Sequence, residues 1–239
     1  MVYSKDKKTS CTDCSHKISG NSLFCCLSLE QLTELSDKIK RLTFKKGQVI
    51  FNEGNQPYGL YCLKKGKVKI SKLGDEGKEQ IVRLAKDASL VGYRSILSST
   101  SYYATATAID ETEVCYIPKS MIFQLIKENP NFSLAMIGLL SDDLKRAENK
   151  ITNMAQKHVR ERIAEAILLL KECYGVKSDN STIDSNLTRR EIANIAGTTT
   201  ETSIRILSEF NRDKIIELNG KNIKVLSLNK LLRTANIFD

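Results

Sequence analysis

Histidine is almost missing from this chain: two occur in 239 residues, His16 and His158, and none falls between residues 44 and 117. Enzymes that work inside a small β-barrel hold a metal there with inward-pointing histidines, so this stretch argues against a cupin-like activity. The chain also lacks a nucleophile elbow, a P-loop and a dinucleotide-binding fingerprint. No enzyme is expected. Long apolar runs are missing too, and none approaches the roughly 18 residues that span a bilayer. The first ten residues, MVYSKDKKTS, have no apolar stretch of the kind a secretory signal needs. The expectation is a cytoplasmic protein with no membrane partner, whose seven cysteines stay reduced or bind metal instead of pairing as disulfides.

What is present is ordinary in bulk. Apolar residues make up 41% and charged residues 27%, as in many soluble globular proteins, and the length suits one large domain or two. The net charge of +9 permits a polyanionic partner without locating it. Lys and Arg outnumber Asp and Glu by 23 to 17 over residues 1–155 and by 14 to 11 over residues 156–239.

Residues 1–27 are polar and carry Cys11, Cys14, Cys25 and Cys26. In SLEQLTELSDKIKRL, Leu29, Leu32, Leu35, Ile39 and Leu42 recur at helical spacing behind Ser28, a candidate N-cap. From 44 to 117 the pattern changes to short β runs punctuated by glycine. LYCLKKGKVKISKLGDEGKEQIVRL reads as three strands with turns at KKG and at Gly74–Gly77, and YYATATAIDETEVCYIP supplies two more. Strands at this spacing suggest a closed barrel or sandwich. Pro118 and Pro130 bracket a short helix, and a long one begins near Asn131. Ile137, Leu140, Leu144, Ala147, Ile151, Met154 and His158 then recur at steps of three and four, a heptad seam with charged flanks. A seam this narrow could pack on the β domain, but its length and charged flanks favour a two-stranded parallel coiled coil, and a homodimer is expected. The expected parts are an N-terminal segment (1–27), a β domain (28–130), a dimerisation helix (131–157) and a C-terminal domain (158–239).

The C-terminal part holds the most specific signal. LTRREIANIAG opens with Thr188 and has Glu191 three residues later, a capping box, and Gly197 suits a left-handed helix end. Thr199 or Thr200 can cap a second helix, in which Ser203, Leu207 and Phe210 share a face with Ile206 beside them, while Glu201, Thr202, Ile204 and Arg205 point elsewhere. Two short helices about a tight turn make a helix-turn-helix, whose second helix enters the DNA major groove. KIIELNGKNIKVLSL follows as a hairpin with Asn219-Gly220 expected in a type I′ turn, bringing Lys214, Lys221 and Lys224 toward phosphates. The module is a winged helix. Arg205 can donate two hydrogen bonds to a guanine, and Glu201 can accept one from a cytosine. A surface ion pair between the two is the simpler alternative.

These segments resemble the cyclic AMP receptor protein / fumarate-nitrate reductase regulator (CRP/FNR) superfamily over nearly the whole chain. KKGQVIFNEGNQPYGLYCLKKGKVKI is similar to the start of that family's cyclic-nucleotide-binding-type β-roll, a jelly roll. LVGYRSIL, EVCYIP and VRERIAEAILLL fall where the family has its effector cassette, last roll strand and post-hinge helix, and LTRREIANIAGTTTETSIRIL resembles its DNA-binding motif. The resemblance implies an α+β chain: a β-roll sensor, a long dimerisation helix and a winged helix-turn-helix. It implies a dimeric transcription regulator that binds palindromic double-stranded DNA and works with RNA polymerase. Glu201 and Arg205 become the base readers, with Thr199, Thr200, Thr202 and the wing's Lys221 around them. Ile204 replaces a small polar residue common in the family and could meet a thymine methyl.

The effector is set by other residues. Cyclic-nucleotide binders in this family carry a Gly-Glu-hydrophobic segment for the ribose and an Arg-Ser/Thr-Ala segment for the phosphate. Here those places read Gly92-Tyr93-Arg94 and Tyr102-Tyr103-Ala104, so cyclic AMP is not expected. The family's oxygen-sensing branch ligates a [4Fe–4S] cluster with an N-terminal cysteine group and one cysteine on the roll. By that resemblance the ligands are Cys11, Cys14, one of Cys25 and Cys26, and Cys115, although ten residues separate Cys14 from Cys25. The alternatives are zinc on the Cys-x2-Cys pair, no metal at all, or a small organic ligand or haem as effector. Cys62 and Cys173 read as core thiols.

Overall fold

The computed structural model describes residues 23–74, 77–185 and 187–237. Cys11, Cys14 and His16 therefore lie outside the described residues. The chain packs as two compact units. One holds the described residues up to Ile70 together with Ala85–Ala147, and the other holds Ser71–Leu84 together with Glu148 onward.

In the first unit a 3₁₀ turn, Leu23–Cys26, leads to α1 (Leu29–Lys38). Ser28 caps α1: its hydroxyl accepts the Gln31 N–H at 3.2 Å, and the Gln31 side chain accepts the Ser28 N–H at 3.1 Å. The apolar periodicity runs on to Ile39 and Leu42, but the helix does not. Ile39 is extended and Leu42 belongs to β1 (Lys40–Phe44). Leu42 and Phe44 are buried two residues apart, the period of a strand, and β1 pairs with β8 (Thr112–Pro118) from Lys40↔Tyr116 to Phe44↔Thr112. A ladder to a strand some seventy residues away in sequence outweighs the local helical pattern.

The remaining strands are β2 (Val49–Phe51), β3 (Gly59–Lys65), β4 (Val68–Leu73), β5 (Glu79–Ala85), β6 (Leu90–Val91) and β7 (Thr105–Ala108). A short helix, α2 (Tyr93–Leu97), sits between β6 and β7. They form two four-stranded sheets, β1-β8-β3-β6 and β2-β7-β4-β5, in the crossing order of a roll. Against β3 and β8 pack α1, α3 (Lys119–Glu128) and the start of α4 (Pro130–Gln156). Leu35, Leu60, Ile117, Met121, Ile122, Leu125 and Phe132 are the centre of that core.

Helix α4 has 27 residues, about 40 Å at 1.5 Å per residue. Only Phe132, Met136 and Asp143 are buried along it. Ile137, Leu144 and Ile151 stand 58%, 60% and 69% exposed, Ala147 is exposed as well, and Leu140 and Met154 are half-buried. The expected seam stops at Met154. His158 lies beyond the last turn of α4, where the Glu161 carboxylate accepts its backbone N–H at 2.8 Å at the start of α5 (Val159–Tyr174), so it cannot continue a seam on α4.

In the second unit α5 ends at Gly175, with φ +70°. There follow α6 (Arg189–Ala196), α7 (Thr200–Arg212), a hairpin of β9 (Ile216–Asn219) and β10 (Asn222–Val225), and α8 (Leu228–Thr234). The segment after α5, polar in sequence, forms bridges Val176↔Ile183 and Thr182↔Lys224 and so adds an edge to the hairpin. The hairpin turn differs from expectation by one residue. Asn219 pairs with Asn222, which leaves Gly220-Lys221 as the two-residue loop. Gly220 has φ +56° and Lys221 is not among the positive-φ residues, the pattern of a turn with glycine at its first central position. From residues 71–84, Glu79 accepts a hydrogen bond from Asn194 at 2.9 Å and Gln80 donates to the Asn194 carbonyl at 2.5 Å. No helix among the described residues is long and apolar enough to cross a membrane.

Candidate nucleic-acid interface

The turn between α6 and α7 is built from caps. The Thr188 hydroxyl accepts the Glu191 N–H at 3.2 Å, and the Glu191 carboxylate accepts the Thr188 N–H at 2.9 Å. Gly197 closes α6 in the left-handed region, φ +63°, and Thr199 caps α7 by accepting the Thr202 N–H at 3.2 Å. A Cβ at position 197 would meet the flexible end of the Met154 side chain, which can move aside, so it is the left-handed φ that calls for glycine here. Helix α7 buries Ser203, Ile206, Leu207 and Phe210. Thr199, Glu201, Ile204 and Arg205 are exposed, and Thr200 and Thr202 are half-buried at the same end. Ile204 is 48% exposed, a branched apolar side chain turned to solvent beside a glutamate and an arginine.

Glu201 and Arg205 do not pair with each other. Arg205 Nη1 donates to Glu209 Oε1 at 2.6 Å, one turn further on, and Glu201 has no hydrogen-bond or ion-pair partner among the described residues. The other oxygen, Glu209 Oε2, accepts from Arg160 Nη1 at 2.7 Å, and Arg160 Nη2 donates to Asp213 at 2.9 Å. The Arg160 guanidinium lies 4.7 Å from the centre of the Phe210 ring. Sequence reasoning missed both Arg160 and Glu209. The spacing of Glu209 from Arg205 was visible, whereas Arg160 reaches them only through the packing of α5 on α7. On the wing, Lys221 is exposed in the turn, and Arg189 Nη2 donates to the Gly220 carbonyl at 2.9 Å, tying that turn to the start of α6. Lys224 lies 3.9 Å from Glu217 and Lys214 is exposed.

In the roll, Gly92 opens α2 with φ +84°. Tyr93 donates its hydroxyl to Asp143, and Arg94 Nη2 lies 2.7 Å from the same carboxylate. Arg94 Nη1 also donates to the Tyr103 hydroxyl at 3.2 Å. Asp143 is 3% exposed, so Arg94, in the segment that stands where the family holds the ribose, is neutralised by a buried carboxylate on α4. Tyr102, in the place of the family's phosphate arginine, stacks on Phe51 with ring centroids 3.9 Å apart and donates its hydroxyl to the Gly59 carbonyl at 2.9 Å. Beside them is a cavity of about 440 Å³ walled by Phe51, Tyr61, Tyr102 and Tyr116 and edged by Asn52, Asn55 and Gln56, with no charged side chain in its lining. Burial pushes the three phenols up, so they are neutral at pH 7.

Of the proposed metal ligands, Cys25 is exposed and Cys26 donates its thiol to the Leu23 carbonyl at 3.1 Å. Burial pushes the Cys26 thiol up, away from the thiolate form. Cys115 is buried on β8, directly opposite Cys62 of β3, and Cys26 and Cys62 both border the core beneath that sheet. No group of three or more His, Cys, Asp or Glu side chains comes together among the described residues. A [4Fe–4S] cluster needs four thiolates, and the described residues alone do not make that donor set.

A capped helix-turn-helix with a wing, in a chain that also carries a β-roll and a long, largely exposed helix, defines the class: a DNA-binding transcription regulator. The comparisons agree. The family model described as a cyclic nucleotide-binding domain matches residues 41–129, and the Crp-like helix-turn-helix domain matches residues 161–234. The chain is 31% identical over 186 residues to the global nitrogen regulator of Nostoc sp., covering 77% of this chain and 83% of that protein. It is 29% identical over 227 residues to the fumarate and nitrate reduction regulatory protein of Yersinia pestis, covering 94% of this chain and 90% of the relative. The solved structure of FixK2 from Bradyrhizobium japonicum superposes with a TM-score of 0.74 at 22% identity, covering 82% of this chain and 96% of that one, and so has the same fold. The protein belongs to the CRP/FNR superfamily, and it is a transcription regulator rather than an enzyme.

Proposed function

We propose that the protein acts in the cytoplasm as a homodimer on a two-fold-symmetric DNA site and passes its signal to RNA polymerase. Each subunit lays α7 in the major groove of one half-site. Glu201 and Arg205 read base edges, Ile204 meets a thymine methyl, Thr199, Thr200 and Thr202 flank them, and Lys221 neutralises backbone phosphate. The observation that carries this assignment is the division of α7 into a buried Ser203–Ile206–Leu207–Phe210 face and an outward Glu201–Ile204–Arg205 face. Dimerisation is supported by the exposed apolar residues Ile137, Leu144 and Ile151 on α4, with Leu140, Ala147 and Met154 between them. Selection from random duplexes is expected to recover an inverted repeat with half-site centres about 34–36 Å apart. Recovery of a single asymmetric element would overturn the dimeric assignment.

Two readings of the signal compete, each on one observation. The first is redox sensing through a [4Fe–4S] cluster on Cys11, Cys14, one of Cys25 and Cys26, and Cys115. It is supported by Cys115 lying opposite Cys62, which borders the same core as Cys26, and by a relative named for the reduction of two electron acceptors, fumarate and nitrate. The second is an uncharged organic effector in the roll, supported by the aromatic cavity, whose lining carries no charged side chain, and by the engagement of Arg94 with Asp143. An absorption spectrum with iron and sulfide assays on anaerobically purified protein separates them. Under the first, the protein is coloured, DNA affinity falls in air, and Cys115→Ser abolishes the colour while Cys173→Ser does not. Colourless, iron-free protein that binds DNA equally in air leaves the second.

A further inference from the structure

The carboxylate of Glu209 sits between two guanidinium groups from different helices. Oε2 is held by Arg160 on α5 at 2.7 Å, and Oε1 holds Arg205 on α7 at 2.6 Å. Arg160 is itself fixed by Asp213 at 2.9 Å and lies 4.7 Å from the centre of the Phe210 ring, which is fully buried. An i,i+4 ion pair along one exposed helix needs only a single carboxylate oxygen and is weak. Here the second oxygen is anchored to a neighbouring helix, so the glutamate cannot follow a wandering arginine. The Arg205 side chain is 65% exposed and would otherwise sample many rotamers, including ones that reach phosphate instead of a base. With Nη1 held, the other donors of the planar guanidinium stay free for the O6 and N7 of a guanine.

We propose that Glu209, clamped by Arg160, is a positioning residue for base recognition: it fixes the direction of Arg205 and so sets the discrimination at one base pair per half-site. This rests on Arg205 being a base reader. Glu209 also contributes negative charge next to the DNA-facing helix, which lowers affinity for duplexes in general. The two effects can be separated by changing the two ends of the clamp, because Glu209→Gln removes a negative charge and Arg160→Gln removes a positive one.

The test measures affinity of the full-length protein for the symmetric duplex recovered by selection, for the same duplex with the Arg205-read pair exchanged, and for random duplex. Thermal melting checks that each variant is folded. Both variants are expected to lose discrimination between the first two duplexes by about fivefold, part of the roughly 5- to 150-fold that a bidentate arginine supplies. Affinity for random duplex should rise in Glu209→Gln and fall in Arg160→Gln, whereas a merely structural defect would move both the same way. In an Arg205→Ala background, Glu209→Gln should cost no further discrimination. If Arg205→Ala abolishes discrimination while Glu209→Gln and Arg160→Gln keep it, the positioning role is wrong and the base-reader assignment stands. If Arg205→Ala leaves discrimination intact, the base-reader assignment itself falls.

Discussion

Arg205 and Lys221 are both exposed cations of the second unit, yet their substitutions should be distinguishable. Arg205→Ala is expected to weaken binding to the symmetric site by about 1–3 kcal/mol and to relax selection at one base pair per half-site. Lys221→Ala should weaken all duplexes alike and reduce the salt dependence by roughly one counterion per subunit. Titrations at several salt concentrations against symmetric and random DNA separate the two. The tyrosines of the roll give a pH prediction. Burial raises Tyr61, Tyr102 and Tyr116 above their ordinary value, so above about pH 10 the unfolded chain has lost protons that the folded state still holds. Their contribution is fully present below that pH and is lost as pH rises. Urea midpoints should therefore fall between pH 9 and pH 11, and Tyr102→Phe should flatten part of that fall. A fall unchanged in Tyr102→Phe would remove Tyr102 from the cause.

Among the elements, α4 carries the clearest mismatch between a single chain and its surface. Ile151 is 69% exposed on a helix whose buried residues end at Asp143. Such a stripe is stable in water when a second copy covers it. Ile151→Asp would place a charge in the middle of that contact and should cost several kcal/mol of association. Light scattering is expected to find monomers, with tight binding to the symmetric site lost at the same time because each half-site is read by one subunit. A variant that stays dimeric would move the contact to another surface.

At the scale of the whole molecule, the network Tyr103–Arg94–Asp143–Tyr93 joins two segments of the roll to α4. Asp143 is buried, and one carboxylate oxygen accepts from both Tyr93 and Arg94. Asp143→Asn keeps the shape and removes the charge that balances Arg94. Because about a third of the Arg94 side chain is exposed, the expected loss of stability is about 1–3 kcal/mol, below that for a fully buried pair. Chemical denaturation measures the loss. Dimer association measured in parallel should weaken too, if α4 depends on this network for its position. A variant as stable as the parent would mean that water replaces the lost charge.

Local physics was legible in the sequence alone. Ser28, Thr188, Thr199, Glu191 and Gly197 act through hydrogen bonds and backbone angles within four residues, so the capped helix-turn-helix and its outward Glu201, Ile204 and Arg205 could be written down without coordinates. The same holds for β4, where Val68 and Ile70 alternate into the core. Only the tertiary structure decided what depends on partners distant in sequence. Leu42 matches a helix as well as it matches a strand, and the ladder to β8 chose the strand. The pairing of Asn219 with Asn222 moved the wing turn onto Gly220-Lys221. Arg205 turned from Glu201 to Glu209 where Arg160 already held the carboxylate, and Asp143 became a buried partner of Arg94 instead of one more charge on a solvated flank. Spacing along a chain specifies which residues share a face, but a charged side chain chooses its partner by distance and burial, and both are set by elements that meet only when the chain has folded.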